Sequence, residues 1–492
     1  MLEIPSKMLI GGKLVESESG LWDVSLDPAT EQSLGRVPSA TAADVDRAVR
    51  AAAASWQSWF RLGPSGRMQA LNRLADGIEA RADELLEIEV WDTGNTITAM
   101  SNDVRNTVGW VRYFAAMAQE LKGESVPGAP NMFHFTEHEP YGVVVRIAPF
   151  NHPLLFSVAR TAAALAAGNS VVVKPPETSP LSSMVLAEIC REALPPGVFN
   201  IVTGPGAVVG DALVRHPLVK RIAFIGSAAT GRAIQRSAAE VGVKNVSLEL
   251  GGKNPMIIFP DCDLTAAAEA AVSGMNFNWQ GQSCGSTSRL FIHDDIYEDV
   301  LDRVVERVSR IKLGHPIKRE TEMGPLNSAS MLRRVQSFAT SGREQGARLM
   351  TGGFRPDGAD FTKGYWFTPT VFADVRPDMK IATEEIFGPV LSVFRWSDRE
   401  ALIEQVNGTD YGLTASIWTR DIDTALSVGR EIRAGYLWVN TVSAHYRAVP
   451  FGGQKSSGVG REECLEELYS YTETKAYNIA FRSPPTGGQD NL

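Results

Sequence analysis

The segments Gly142-Val-Val-Val-Arg-Ile-Ala148, Ser170-Val-Val-Val-Lys174 and Arg221-Ile-Ala-Phe-Ile225 decide the fold. Each is short, β-branched and almost wholly apolar, as strands buried on both faces are. Helical stretches separate them, over Leu154 to Ala167, Leu181 to Ala193 and Ala207 to Arg215. Gly168-Asn169 punctuates the first of these helices. Val198 to Val202 adds a strand, Thr230 to Val241 a helix, and Val243 to Leu250 closes the series. Strands alternating with helices at this spacing predict βαβ crossovers and a doubly wound parallel sheet, a Rossmann-like α/β fold. Such a sheet binds its ligand at the carboxyl ends of its strands.

The rest of the chain is organised around that series. Upstream, Asp44 to Arg61, Ser65 to Val90 and Asn102 to Gln119 read as helices, with the aromatics of the third forming a core stripe. A second α/β region runs from about Asn254 to Gly453, with strands at Ser288 to Ile292 and Val390 to Phe394 and a helix at Ile296 to Lys312. Gly123 to Glu139 reads as a small β hairpin set apart from both sheets, and the residues from Ser483 onward as a frayed tail. The division expected is a dinucleotide-binding domain of residues 1–122 and 141–252, and a catalytic domain of residues 253–455. Residues 123–140 and 456–492 are then left as oligomerisation or bridging segments.

Composition narrows the function. Of 492 residues, 44% are hydrophobic and 21% charged, which suits a large globular core and excludes disordered or fibrous classes. A net charge of −9 argues against nucleic acid or an anionic membrane as partner. No apolar run is long enough for a transmembrane helix, and Met1 to Gly20 does not read as a signal peptide. The four cysteines, Cys190, Cys262, Cys284 and Cys464, are too scattered for a disulfide framework, so a reducing, cytoplasmic setting is expected. No metal is expected at the site.

Four motifs carry chemistry. Cys284 lies in a Gly- and Ser-rich loop, Asn278 to Arg289, where a thiol of depressed pKa could be a nucleophile or, equally, an idle surface thiol. In Ser247-Leu-Glu-Leu-Gly-Gly-Lys253 the carboxylate of Glu249 falls at a sheet's carboxyl edge, as a reactive group or a solvated one. In Pro149-Phe-Asn-His-Pro153 the Asn151 amide could donate to an oxyanion or cap the following helix. Phe224 to Gly231 is a strand, a glycine turn and a helix start, which suits a pyrophosphate or is a plain tight turn.

Together and in this order these motifs resemble the aldehyde dehydrogenase superfamily. The likeness extends through Lys174-Pro-Pro-Glu177, Gly281-Gln-Ser-Cys284, Glu384-Glu-Ile-Phe-Gly-Pro389 and Pro450 to Gly458. The resemblance implies oxidation of an aldehyde to the acid with NAD. Cys284 would be the nucleophile, Asn151 the oxyanion donor and Glu249 the base that hydrolyses the thioester, a hydrolytic rather than acylating type. Ile147, Lys174, Glu177, Gly226, Ser227, Leu250, Gly251, Glu385 and Phe387 would hold the cofactor. Glu177 would favour NAD over NADP.

The substrate tunnel implied by the resemblance is lined by Phe150, His152, Phe156, Asn278, Ser283, Gly285, Ser443, His445 and Phe451. Its aromatics suggest an aromatic or medium-length aldehyde. A Trp-Lys pair common in the family is here Ala159-Arg160; arginine does not release a proton as lysine does, which argues against a lysine-type proton exit pairing with Glu473. A homodimer or homotetramer is implied, through Gly123 to Glu139 and Thr472 to Ala480. Rival readings are a cofactor-independent thiol esterase or acyl transferase, and a non-catalytic NAD-binding protein.

Overall fold

The structure, a computed structural model, describes residues 4–481. The tail from Ser483 lies outside the described residues. An eight-stranded sheet is built on five parallel strands in the order Phe199–Ile201, Ser170–Lys174, Val143–Ile147, Arg221–Ile225 and Asn245–Glu249. Chain order runs outward from Val143–Ile147 in both directions, so the topological switch point lies between that strand and Arg221–Ile225. Met8–Ile10 and Lys13–Val15 extend one edge antiparallel. Gly458–Val459, in the segment set apart on sequence, joins the other edge antiparallel beside Glu249.

The period-2 alternation of side chains explains why these strands read as unbroken apolar runs. Val144, Val171, Val173 and Ala223 face one helical layer. Val143, Val145, Val172 and Ile222 face the other. With both faces covered, no position is left for a polar alternation. A second sheet of seven strands repeats the pattern, with Phe291 and Phe394 on one face and Leu290, Ile292 and Val393 on the other.

Several helices differ from the sequence reading. Ser65 to Val90 is two helices, Gly63–Ala80 and Ala82–Thr93, broken at Arg81. The expected Leu154 to Ala167 helix is interrupted by a tighter turn, Ala159–Thr161, where the Thr161 hydroxyl donates to the Val158 carbonyl. Such competition from a side chain is a common cause of an interrupted ladder. The helix expected from Ala207 opens as a wide turn over Gly206–Gly210 before Asp211–Arg215. The hairpin is present as Ser125–Val126 and Met132–Pro140, and Thr472–Ala480 pairs with it over nine residues to make a third sheet.

Asn169 ties three parts of the first region together. Its Oδ1 accepts from the Gly142 amide, and its Nδ2 donates to the carbonyls of Ala164 and Tyr471. Asn169→Ala would strand the Gly142 amide and the Tyr471 carbonyl, each at about 1–3 kcal/mol, while the Ala164 carbonyl keeps the backbone N–H of residue 169. We expect about 2–4 kcal/mol of destabilisation in total. This is checked by the urea midpoint at unchanged slope; a midpoint equal to wild type would contradict it.

Candidate active site

A cleft of about 770 Å³ opens at the switch point, along the carboxyl ends of the parallel strands. Ile147 to Asn151 follow one strand and Ile225 to Ser227 the next, and both turns line it. Cys284, Glu249 and Asn151 line the same cleft, as do all nine residues expected to hold a cofactor.

Asn151 does not cap the helix that follows. The capping position of Pro153–Val158 is His152, and no side chain bonds the helix start. The Asn151 Oδ1 is buried without a partner, and its backbone carbonyl is held by Asn95 Nδ2 at 3.0 Å. The capping alternative is therefore removed. Glu249 is the last residue of its strand and only 6% exposed, and neither carboxyl oxygen has a hydrogen-bond partner. Burial first, then the charge of Glu462, pushes its pKa well above the usual carboxylate range; Arg461, Arg146 and Arg160 oppose the shift.

Cys284 is half-buried, while Cys190, Cys262 and Cys464 are buried. Asn254 anchors its loop: Nδ2 donates to the Cys284 and Ser286 carbonyls at 2.7 and 2.9 Å, and Oδ1 accepts from the Thr414 amide. The sequence condition for reactivity, a depressed thiol pKa, is not met. Burial pushes the thiol up to about 12, and Glu385 and Glu249 add to the effect. The physical reason is the company it keeps, since carboxyls rather than cations approach it.

The second region closes the cleft from above. Glu385 Oε1 accepts the Gly252 amide at 2.9 Å. This approach requires glycine next door, because a Cβ at Gly251 would lie 2.1 Å from Glu385 Oε2. Phe387 takes a left-handed φ of 58° and meets Phe150 edge to face at 5.7 Å. Arg334, on the helix Ala329–Glu344, donates to the carbonyls of Glu385 and Ile386 and lines the cleft. At the opposite end Glu177 accepts the Gly206 amide, and the buried Lys174 ammonium lies 3.8 Å from it. Ser227 caps the helix Ala228–Val241, whose first turn faces the cleft.

Of the residues expected to form a tunnel, Phe150 lines this cleft and the other eight do not. Phe451 packs with Leu413, Tyr436 and Trp438 against Cys284, and the His445 ring lies 4.7 Å from it. Gly285 sits beside Trp438 and Ser283. His152 bonds Asp103 at 2.5 Å and meets Phe156 and Trp279. Ser443 keeps a buried, unpartnered hydroxyl, and the Asn278 carbonyl accepts from Thr96. Sequence reasoning missed Asn254, Arg334, Tyr436 and Trp438. Asn254 directly follows the Glu249 motif, which was a usable signal; a lone arginine on a helix and two strand aromatics gave none.

The doubt over a proton exit pairing position 160 with Glu473 agrees with the ion pairs of Arg160. Glu473 is exposed on the third sheet, opposite Glu139. Arg160 instead pairs with Glu463 and reaches Glu462 at 3.5 Å, while Arg146 bonds Glu462 at 2.8 Å. His445 also contacts Glu463, at 3.0 Å. Burial raises the Glu463 carboxyl, but Arg160 and His445 outweigh it and hold the group below the ordinary range.

A dinucleotide-type sheet with an unpaired thiol, carboxyl and amide at its switch point defines the class. Comparison with known proteins gives the family. The aldehyde dehydrogenase family model matches residues 15–477. Aldehyde dehydrogenase tropH of Talaromyces stipitatus is 46% identical over 462 residues, 92% of this chain and 89% of that protein. An aldehyde dehydrogenase of Bacillus cereus, solved as its NAD+ complex, superposes at a TM-score of 0.94 with 40% identity over 97% of each chain. PnpE of Pseudomonas sp. WBC-3 superposes at 0.95 with 36% identity, covering 99% of this chain and all of that one. The chain belongs to the aldehyde dehydrogenase family.

The elevated thiol has a direct consequence. Without cofactor, alkylation of Cys284 by iodoacetamide should climb about tenfold per pH unit from pH 7 to 10, because only the thiolate reacts. Mass-spectrometric rates would check this, and a plateau below pH 8 would show a depressed thiol instead.

Proposed function

We propose that this protein oxidises an aldehyde to its carboxylic acid with NAD, using Cys284 as nucleophile, Asn151 as oxyanion donor and Glu249 as general base. The observation that carries this reading is the convergence of these three side chains on one cleft at the switch point. The same cleft suits the cofactor. It ends in a helix start behind Gly226 and Ser227 for a pyrophosphate, and at its rim Lys174 and Glu177 are placed for ribose hydroxyls. Glu385 and Phe387 would hold the opposite end, a reading supported by the close approach of Gly251 to Glu385 and by the Arg334 hydrogen bonds to the Glu385 and Ile386 carbonyls. NAD, when bound, supplies the hydride acceptor.

The residues account for the remaining chemistry. The Cys284 thiol gives its proton to the ionised Glu249 as its sulfur adds to the aldehyde carbon, and the oxygen becomes an oxyanion within reach of the Asn151 amide and the local backbone. Loss of hydride from that carbon leaves a thioester on Cys284. Glu249, once it has passed the thiol's proton to solvent, takes a proton from water as the water attacks the thioester and delivers it to the departing Cys284 sulfur, releasing the acid and restoring the thiol. A carboxyl raised by burial is suited to this, because its base form binds protons more strongly than an ordinary carboxylate does. Activity should therefore rise with pH as Glu249 loses its proton.

Domain roles follow the sheets. Residues 1–122 and 141–252 would bind the dinucleotide, 253–455 would carry the thiol, and 123–140 with 456–492 would serve assembly. Exposed Phe133 and Ile479 on the third sheet, with Phe481 just beyond it, support a homodimer or homotetramer. The four free cysteines are compatible with a cytoplasmic setting, and among the described residues no helix is long and apolar enough to cross a membrane. Phe150, Phe156 and Phe451 favour an aromatic or medium-length aldehyde.

Two measurements test the chemistry. Glu249→Gln should keep a burst of NADH of about one equivalent per active site while steady turnover falls about 10²-fold or more; equal loss of burst and turnover would remove Glu249 from deacylation. The Glu177 carboxylate should repel a 2′-phosphate, so kcat/KM with NAD should exceed that with NADP by roughly tenfold. A preference for NADP would sink that assignment.

A further inference from the structure

The loop between Val439 and Gly453 runs from the thiol to the surface. At its inner end Phe451 packs in the cluster that holds Cys284, with His445 against it. Two residues beyond His445, Arg447 crosses to the helix Ile97–Met117. Its guanidinium carbon lies 5.5 Å from the centroid of Trp110. Gly109 makes room for it, since a Cβ there would fall 2.1 Å from Arg447 Nη2. The same helix carries Asp103, which holds His152. Loop and helix thus enclose the flank of Cys284 that does not belong to the dinucleotide cleft, for neither Trp110 nor His445 nor Phe451 lines that cleft.

The charges on this flank are unevenly committed. Asp103 is bound to His152, and Glu463 to both Arg160 and His445. Arg447 is exposed, with no ion pair or hydrogen bond among the described residues, and its head is steadied by an aromatic face. A cation held in this way keeps its full set of donors for a ligand. Asp103 and Glu463 are both engaged by other partners, so the guanidinium is free to take a carboxylate that a ligand brings.

We propose that Arg447 is a specificity-determining residue that binds the distal carboxylate of an aldehyde carrying a second, anionic group. The inference rests on the reading of Cys284 as the nucleophile. The apolar wall between Phe451 and Phe156 then receives the middle of the molecule, and the charged end stays at the mouth.

The test uses the full chain with NAD and two matched pairs of aldehydes, 4-carboxybenzaldehyde with 4-methylbenzaldehyde and 6-oxohexanoate with hexanal. Arg447→Gln should lower the ratio of kcat/KM for carboxylated over neutral substrate about five- to tenfold in at least one pair, through KM, with kcat unchanged. Arg447→Lys should keep most of the ratio, and added salt should weaken it in wild type. A second readout needs no turnover: the rate of Cys284 alkylation by iodoacetate relative to iodoacetamide, followed by mass spectrometry, should fall in parallel in Arg447→Gln. Ratios within about twofold of wild type in both assays overturn the proposal. If the alkylation ratio falls while no aldehyde is oxidised, Arg447 keeps its anion-binding role and the oxidation reading fails. If aldehydes are oxidised and neither ratio moves, the oxidation reading stands and the role of Arg447 is lost.

Discussion

The site depends on how two buried arginines are spent. Arg146 and Arg160 lie directly behind the strand end that carries Glu249, and either could have neutralised it. Both are instead committed to Glu462 and Glu463, on the segment that returns to the first sheet after Gly458–Val459. Glu249 is thereby left buried, without a hydrogen bond, beside another carboxylate. An unpaired buried carboxyl destabilises a fold. It persists here because the strand pairing on both sides fixes its backbone, with Ile225 across one edge and Gly458 across the other. The tension between stability and a usable base is resolved in favour of the base.

The return segment therefore does more than bridge. Its strand completes the edge of the sheet, its Glu462 and Glu463 hold the arginines, and its Glu467 bonds the Glu463 amide at 2.7 Å. Burial and the neighbouring Glu462 also raise the Glu467 carboxyl, so this cluster holds a second carboxyl that resists ionisation. Replacing the lysine common at position 160 by arginine fits such a cluster, because a permanently charged fork can serve two carboxylates at once.

Much of this was legible in the sequence because it rests on local rules. Unbroken runs such as Val143 to Ile147 announce strands covered on both faces, and the carboxyl ends of two of them carry Asn151 and Glu249, while Cys284 comes from a loop of the second region. What was not legible depends on residues far apart in the chain. The partner of Arg160 lies about 300 positions away, and sequence spacing could not choose Glu463 over Glu473. Arg334 reaches the cleft only because its helix lies over the Glu385 segment. The interrupted helix after Pro153 was missed because a buried threonine hydroxyl competes with the backbone for a carbonyl, which propensity does not register.

The state of the thiol was left open by the sequence for a similar reason. A Gly- and Ser-rich loop makes a reactive thiol conditional on its pKa, and the sign of the shift is set by what the second region brings near. Glu385 and Glu249 both approach Cys284, and burial acts in the same direction. A free thiolate would add a charge to a cleft that already resists one. Moving a proton from Cys284 to an ionised Glu249 leaves the net charge of the cleft unchanged, so the desolvation penalty that raises both groups is incurred once rather than twice. On the proposed reaction path the two shifts belong together: the carboxyl is basic enough to receive the proton, and the thiol stays protected until a substrate carbon is there to take the sulfur's electrons.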